Sequence, residues 1–140
     1  MMVRYTFPGT TFQFSYPETT PRRFPVALKE THRDNVSRVH LTSLDSRELY
    51  FEVTCYYALT AREGYDQLKE GMQERFGECT VTELQKTRLN GSPAFVFSFQ
   101  CPFIHRKVYF LEKASATYRV LYDPTLPLNE QVLATVTVTD

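Results

Sequence analysis

The chain has 140 residues, with sixteen Lys and Arg balanced by sixteen Asp and Glu, and 42% of it is hydrophobic. That length suits a single domain with one core, and the missing basic excess argues against a nucleic-acid binder that grips phosphates. Eleven Phe and nine Tyr, with no Trp, favour β-rich structure, where flat side chains pack on a pleated surface.

In chain order, Tyr5 to Phe7, the Pro8-Gly9 pair and Thr11 to Tyr16 read as a small hairpin. Phe12, Phe14 and Tyr16 alternate with polar residues, so one side of it is buried. Pro17 to Pro25 holds three prolines without a period and reads as a surface connection. Asn35 to Leu41 reads as a strand, and Arg47 to Leu59 as a stronger one. Leu49, Phe51, Val53, Cys55 and Tyr57 form its apolar side; Tyr50, Glu52, Thr54 and Tyr56 form an amphipathic side.

The spacing predicts a helix over Thr60 to Gly77. Thr60 and Glu63 make a capping box, Tyr65, Leu68, Met72 and Phe76 an apolar stripe, and Gly77 a stop. Gly64 and Gly71 cost helix stability, which implies close approach to a neighbour at both turns. Four strands follow, near 80–89, 94–101, 107–113 and 116–122. The first two are joined by Asn90-Gly91, a strong hairpin signal because both turn positions need positive φ. Phe95, Phe97 and Phe99 on one side of the second strand, with Ala94 and Val96 on the other, imply cover on both faces. Leu126 to Asp140 fits either a helix stripe (Leu128, Val132, Leu133 and Val136) or a strand (Val136 and Val138 between threonines), and is expected as a helix from Leu128 with an extended tail. The expected fold is α+β: an antiparallel sheet flanked by helices in a three-layer α/β/α sandwich, one domain over residues 1–140.

Few chemistries survive. Cys55, Cys79 and Cys101 are odd in number and form no C-x-x-C; they are expected as buried thiols, with a disulfide or metal site as the alternative. His32, His40 and His105 make no ligand pair at metal spacing. No nucleophile elbow, P-loop or dinucleotide glycine pattern occurs. No catalytic residue, cofactor or metal is therefore expected. No h-region opens the chain and no apolar run could span a bilayer, so the expectation is a cytoplasmic protein without membrane insertion. Residues 1–47 hold seven basic residues (Arg4, Arg22, Arg23, Lys29, Arg33, Arg38 and Arg47) against four acids, read as a solvated, loop-rich surface.

Several local words resemble the PsbP/DcrB/Mog-like α/β/α sandwich superfamily. Phe14-Ser15-Tyr16-Pro17 is similar to an early F-x-Y-P segment. Leu49 to Tyr57 feeding the helix from Thr60 resembles the long strand before the long helix. Leu89-Asn90-Gly91-Ser92-Pro93-Ala94 resembles the family's Asn-Gly turn, and Lys107 to Pro124 its closing hairpin. The resemblance implies an accessory or binding role rather than an enzyme, since such members include photosystem II subunits, binders of the Ran GTPase and chaperones of secretion-effector membrane helices.

Alternation places Tyr50, Glu52, Tyr56, Ser98 and Arg119 on one mixed aromatic and charged sheet face, the candidate surface for a ligand or partner. The leading expectation is a non-enzymatic protein-binding module that recognises a protein partner, a second copy included, through a sheet face or edge. The alternatives are a small-ligand carrier or enzyme with a cleft between sheet and helix, and a chaperone for apolar segments.

Overall fold

The computed structural model describes residues 1–43 and 47–139. The N-terminal hairpin pairs β1 (Met2–Thr6) with β2 (Gln13–Pro17) as a two-stranded sheet. The remaining strands are β3 (Val26–Arg33), β4 (Val36–Ser43), β5 (Phe51–Tyr56), β6 (Thr80–Val81), β7 (Gln85–Leu89), β8 (Ser92–Cys101), β9 (Ile104–Glu112) and β10 (Thr117–Tyr122). They form one eight-stranded antiparallel sheet in the order β3-β4-β5-β10-β9-β8-β6, with β7 also on β8. Two helices complete the described chain, α1 (Ala61–Phe76) and α2 (Pro127–Leu133).

The register of β10 against β5 sorts the core into two. Tyr118↔Cys55, Val120↔Val53 and Tyr122↔Phe51 share one face; Arg119↔Thr54 and Leu121↔Glu52 share the other. On the first face the sheet meets Phe7, Phe12 and Phe14 of the hairpin region together with Leu128, Val132 and Leu133 of α2, all buried. Phe12 stacks on Tyr118 with centroids 4.6 Å apart. On the second face α1 lies over Phe97, Phe99, Val108, Phe110 and Leu121. Two buried faces explain why Phe and Tyr recur at every second position, since each ring is removed from water on one side or the other.

The three-layer α/β/α expectation is overturned. The chain is 49% strand and 17% helix, and the layer opposite α1 is built mainly from the β1–β2 hairpin. α2 has only seven residues, too few to cover that face. Its apolar cover comes instead from aromatic residues of the hairpin and from an extended tail, where Val136 and Val138 are buried and Thr137 bridges to Gln13. Asp140, the last residue of the expected C-terminal segment, lies outside the described residues.

The elements otherwise follow their local chemistry. Thr60 Oγ1 accepts from the Glu63 N–H at 3.1 Å, and Glu63 Oε1 accepts from the Thr60 N–H at 3.0 Å. Glu112 adds a second anion at the α1 N-terminus, accepting from the Ala61 N–H at 2.7 Å. Asn90 and Gly91 take φ of 49° and 88°, the positive pair the hairpin turn requires. The Asn90 amide also donates to the Leu133 and Val136 carbonyls at 2.9 and 2.8 Å, tying the C-terminal segment to this turn. The expected strand over 80–89 is broken into β6 and β7. The expected strand over 47–59 is shorter, and Tyr57, assigned to its buried side, is 50% exposed because the strand ends at Tyr56. β3 was not foreseen at all.

Two further expectations fail. Cys79 and Cys101 form a disulfide, with Cα atoms 4.3 Å apart, while Cys55 stays a buried thiol. The pairs Thr80↔Gln100 and Val81↔Phe99 bring the next residues out on each strand, 79 and 101, opposite one another; odd parity and the lack of C-x-x-C hid this cross-strand neighbour. Gly64 and Gly71 also differ. A Cβ on Gly64 would sit 2.7 Å from Phe110 Cε1, whereas one on Gly71 would meet nothing within 4 Å.

Gly64→Ala should therefore destabilise by about 1–3 kcal/mol through overpacking against Phe110, while Gly71→Ala should stabilise by up to about 1 kcal/mol. Chemical denaturation of both variants checks the opposite signs. The disulfide closes a loop with a sequence separation of 22, for which chain entropy gives about 3 kcal/mol. Reduction, or the Cys79→Ser/Cys101→Ser pair, should lower Tm by about 10 °C at this chain length, measured by calorimetry with and without reductant.

Candidate functional site

α1 covers only part of its face of the sheet. Its stripe of Tyr65, Leu68, Met72 and Phe76 packs on β8, β9 and the edge of β10. Beyond β10, the same face of β5, β4 and β3 carries polar and charged side chains. Alternation and register put Glu52, Thr54 and Tyr56 of β5 beside Arg38 and His40 of β4, and these beside Thr31 and Lys29 of β3. The sequence makes this happen simply: on β4, Arg38 and His40 alternate with Val39 and Leu41, which are buried against the hairpin side.

The centre is an ion network. Arg119 Nη2 donates to Glu52 Oε1 at 2.8 Å and to Thr54 Oγ1 at 3.3 Å. Arg38 Nε donates to Thr54 Oγ1 at 3.3 Å and lies 3.5 Å from the same Glu52 oxygen. One carboxylate thus balances two guanidinium groups. The side chains of Arg119 and Glu52 are 11% and 13% exposed, that of Arg38 45%, so the outer arginine retains nearly half of its access to solvent. Arg119 also lies over the Tyr56 ring, 5.7 Å from its centroid.

A second cluster adjoins the first. The Arg106 guanidinium sits 3.9 Å from the Tyr50 ring centroid and 3.6 Å from Asp123 Oδ2. The His40 ring meets Tyr50 edge-on at 5.0 Å. The buried Asn129 of α2 fixes this corner from the opposite layer: its Oδ1 accepts from the Tyr50 N–H at 3.1 Å, and its amide donates to the Asp123 carbonyl at 2.9 Å. Taken together, Lys29, Arg33, Arg38, Arg106 and Arg119 face Glu52 and Asp123. A hollow of about 690 Å³, lined by Thr31, His32, Arg33, Asp34, Val36 and Arg38, opens beside the β3–β4 turn. A smaller one of about 140 Å³ lies between the end of α1 and Tyr50, Arg106 and Leu121.

Of the five residues expected to share a face, the fold brings together Tyr50, Glu52, Tyr56 and Arg119. Ser98 is on the other face: it pairs with Lys107, and its N–H donates to Thr82 Oγ1 at 2.8 Å. Counting alternation within a strand cannot relate faces of strands whose register is unknown, and β8 is two strands from β10. Sequence reasoning missed Lys29, Arg33, Arg38 and Arg106 as partners in this surface. The basic excess of residues 1–47 was the available signal; three of its seven members, Lys29, Arg33 and Arg38, stand on one sheet face rather than in solvated loops. His105 lies within β9.

Among the described residues no group of three or more His, Cys, Asp or Glu could hold a metal ion, and no helix is long and apolar enough to cross a membrane. No protein-family model matches the sequence and no curated protein aligns with it. The PsbP/DcrB/Mog-like resemblance therefore rests on the sequence words quoted for it.

Burial holds the His40 imidazole below its ordinary pKa; Glu52 opposes this, while Arg38, Arg106 and Lys29 reinforce it. A histidine whose folded pKa is lowered contributes stability that is complete above the unfolded value of about 6.5 and is lost as pH falls through it. Tm should therefore drop between pH 7.5 and pH 5.5, and His40→Gln should reduce that drop. Parallel melts of the two proteins across this window make the measurement; identical slopes would exclude His40 as the cause.

Proposed function

We propose that this chain is a non-enzymatic protein-binding module whose working surface is the half of the sheet face left open by α1, and that it recognises an acidic segment of a partner protein. One observation carries the reading: five cations, Lys29, Arg33, Arg38, Arg106 and Arg119, outnumber three carboxylates, Glu52, Asp123 and Asp34 of the adjoining hollow, on a surface no other element covers among the described residues. A chain of zero net charge has concentrated positive potential on one patch. Such a patch speeds encounter with a complementary partner and rejects like-charged ones. Tyr50 and Tyr56, held by cation–π contacts, supply flat, partly buried rings of the kind enriched at interfaces.

The network divides into positioning and contact groups. Arg119 and Glu52 are mostly buried and hold each other, so they set the floor. Lys29 and Arg33 are exposed and meet a carboxylate at little desolvation cost, while Arg38, exposed but already paired with Glu52 and Thr54, adds its charge. Binding should thus be strongly salt-dependent, since exposed charges are screened over about 10 Å at 0.1 M salt.

A fluorescent peptide of eight residues, alternating glutamate and threonine, tests the reading by anisotropy at low salt. Lys29→Glu/Arg33→Glu should weaken binding by about tenfold or more while leaving Tm within about 2 °C, because both side chains are exposed. Undiminished binding by the reversed variant would reject this surface as the site.

A further inference from the structure

The proposed acidic segment has a second feature to use, the backbone of β3. We propose that it docks as an additional strand, antiparallel to β3, with its acidic side chains on the α1 side of the sheet. The inference rests on the reading above and adds the mode of binding.

β3 forms one end of the eight-stranded sheet, with β4 as its neighbour there. A strand with one neighbour turns about half of its N–H and C=O groups outward. Proteins protect such edges with short strands, bulges, proline or covering elements. The other end of this sheet is protected in that way, because it is divided between β6, of two residues, and β7, of five. β3 has none of these beyond its first residue; of the further known edge defences it carries charged side chains, Lys29, Glu30 and Arg33. It runs for eight residues, VALKETHR, without proline. Its pairing with β4 is unbroken from Val26↔Ser43 to Arg33↔Val36. Among the described residues the outer side is engaged only at the start, where the Val26 N–H donates to the Glu18 carbonyl at 2.9 Å. From Lys29 to Arg33 every side chain is exposed.

The side chains indicate what this edge accepts. A second copy pairing antiparallel about a two-fold axis normal to the sheet must place residues of equal parity opposite each other. The central registers then oppose Lys29 to Lys29 or Glu30 to Glu30, and a shift centred on Thr31 opposes Lys29 to Arg33. Like charges directly across a ladder are unfavourable, so β3 is unsuited to itself. A foreign strand meets different chemistry on its two sides. On the α1 side it lies beside Ala27, Lys29, Thr31 and Arg33, with Arg38 one strand further in and the 690 Å³ hollow at the far end. On the hairpin side it lies beside Leu28, Glu30 and His32, of which Leu28 is partly buried against the core. The favoured occupant is an extended segment with acidic residues at alternate positions and neutral or apolar residues between them. Main-chain hydrogen bonds would supply affinity and the alternate side chains selectivity.

The test compares the alternating glutamate–threonine octapeptide with the same peptide N-methylated at every second residue, which keeps its charges but removes one hydrogen-bonding edge. Both methylation phases are made, so that one of them blocks the edge facing β3. The full chain is titrated with each, and amide exchange is followed over residues 26–33. The proposal expects the unmodified peptide to bind, to slow exchange of the outward amides of β3 by about tenfold or more, and to lose about tenfold or more in affinity in one methylation phase. Equal binding of all three peptides with unchanged β3 exchange would overturn strand addition while leaving the acidic-segment reading intact. No binding of any peptide, or equally tight binding of an oligothymidylate of eight nucleotides, would overturn both.

Discussion

β10 inserts between β5 and β9, pairing with β5 across about sixty to seventy positions in sequence with the same precision as the hairpins around it. Everything in the molecule depends on that register. With Val120 opposite Val53, the rings of Tyr118, Tyr122 and Phe51 enter the hairpin-side core, and Arg119 emerges beside Glu52 and Thr54. A slip of β10 by one residue would exchange its faces, sending Arg119 toward Phe12 and Phe14 and the rings of Tyr118 and Tyr122 toward the opposite surface. The ion network is thus compatible with only one alignment. Arg119 and Glu52 enforce the register as much as they use it, because a mostly buried cation without its carboxylate is costly.

The asymmetry of cover creates the candidate site. α1 is held close by Gly64, which lets its backbone approach Phe110, and it shields β8 and β9 but stops short of β5. The hairpin and the α2 segment shield the opposite face. The remainder, the α1 side of β3, β4 and β5, must be polar to face water, and here that polarity has one dominant sign. Asn129 couples the two layers by holding Tyr50 and Asp123 from behind, so the open surface has a fixed frame.

Much of this was legible in the residues. The capping box at Thr60, the positive-φ pair Asn90-Gly91 and the alternation from Leu49 to Tyr56 are each local, and each forms as its chemistry dictates. What escaped was non-local. β3 is half polar because it lies at an edge, so its period-2 signal is carried weakly, by Val26 and Leu28 alone. The disulfide depends on β6 finding β8, and the wrong assignment of Ser98 on a register that no single strand reveals. The helical outer layer failed for a related reason: Phe7, Phe12 and Phe14 are read locally as a hairpin, and nothing in them says that the hairpin substitutes for a helix. Four of the five proposed surface residues were grouped correctly because β5 and β10 are neighbours, and the missing cations belong to strands whose neighbours were not known.

The layer over Tyr118 is assembled from both ends of the chain. The Ser15 N–H donates to Thr135 Oγ1 across a sequence separation of 120 residues, and Gln13 and Thr137 bond backbone to backbone. On the ribosome the first aromatic residues of that layer emerge long before their cover exists. At ordinary elongation rates the wait is about 6–24 s, far longer than the microseconds in which a hairpin can form. Phe7, Phe12 and Phe14 therefore lack this part of their cover until residues 128–138 have been made.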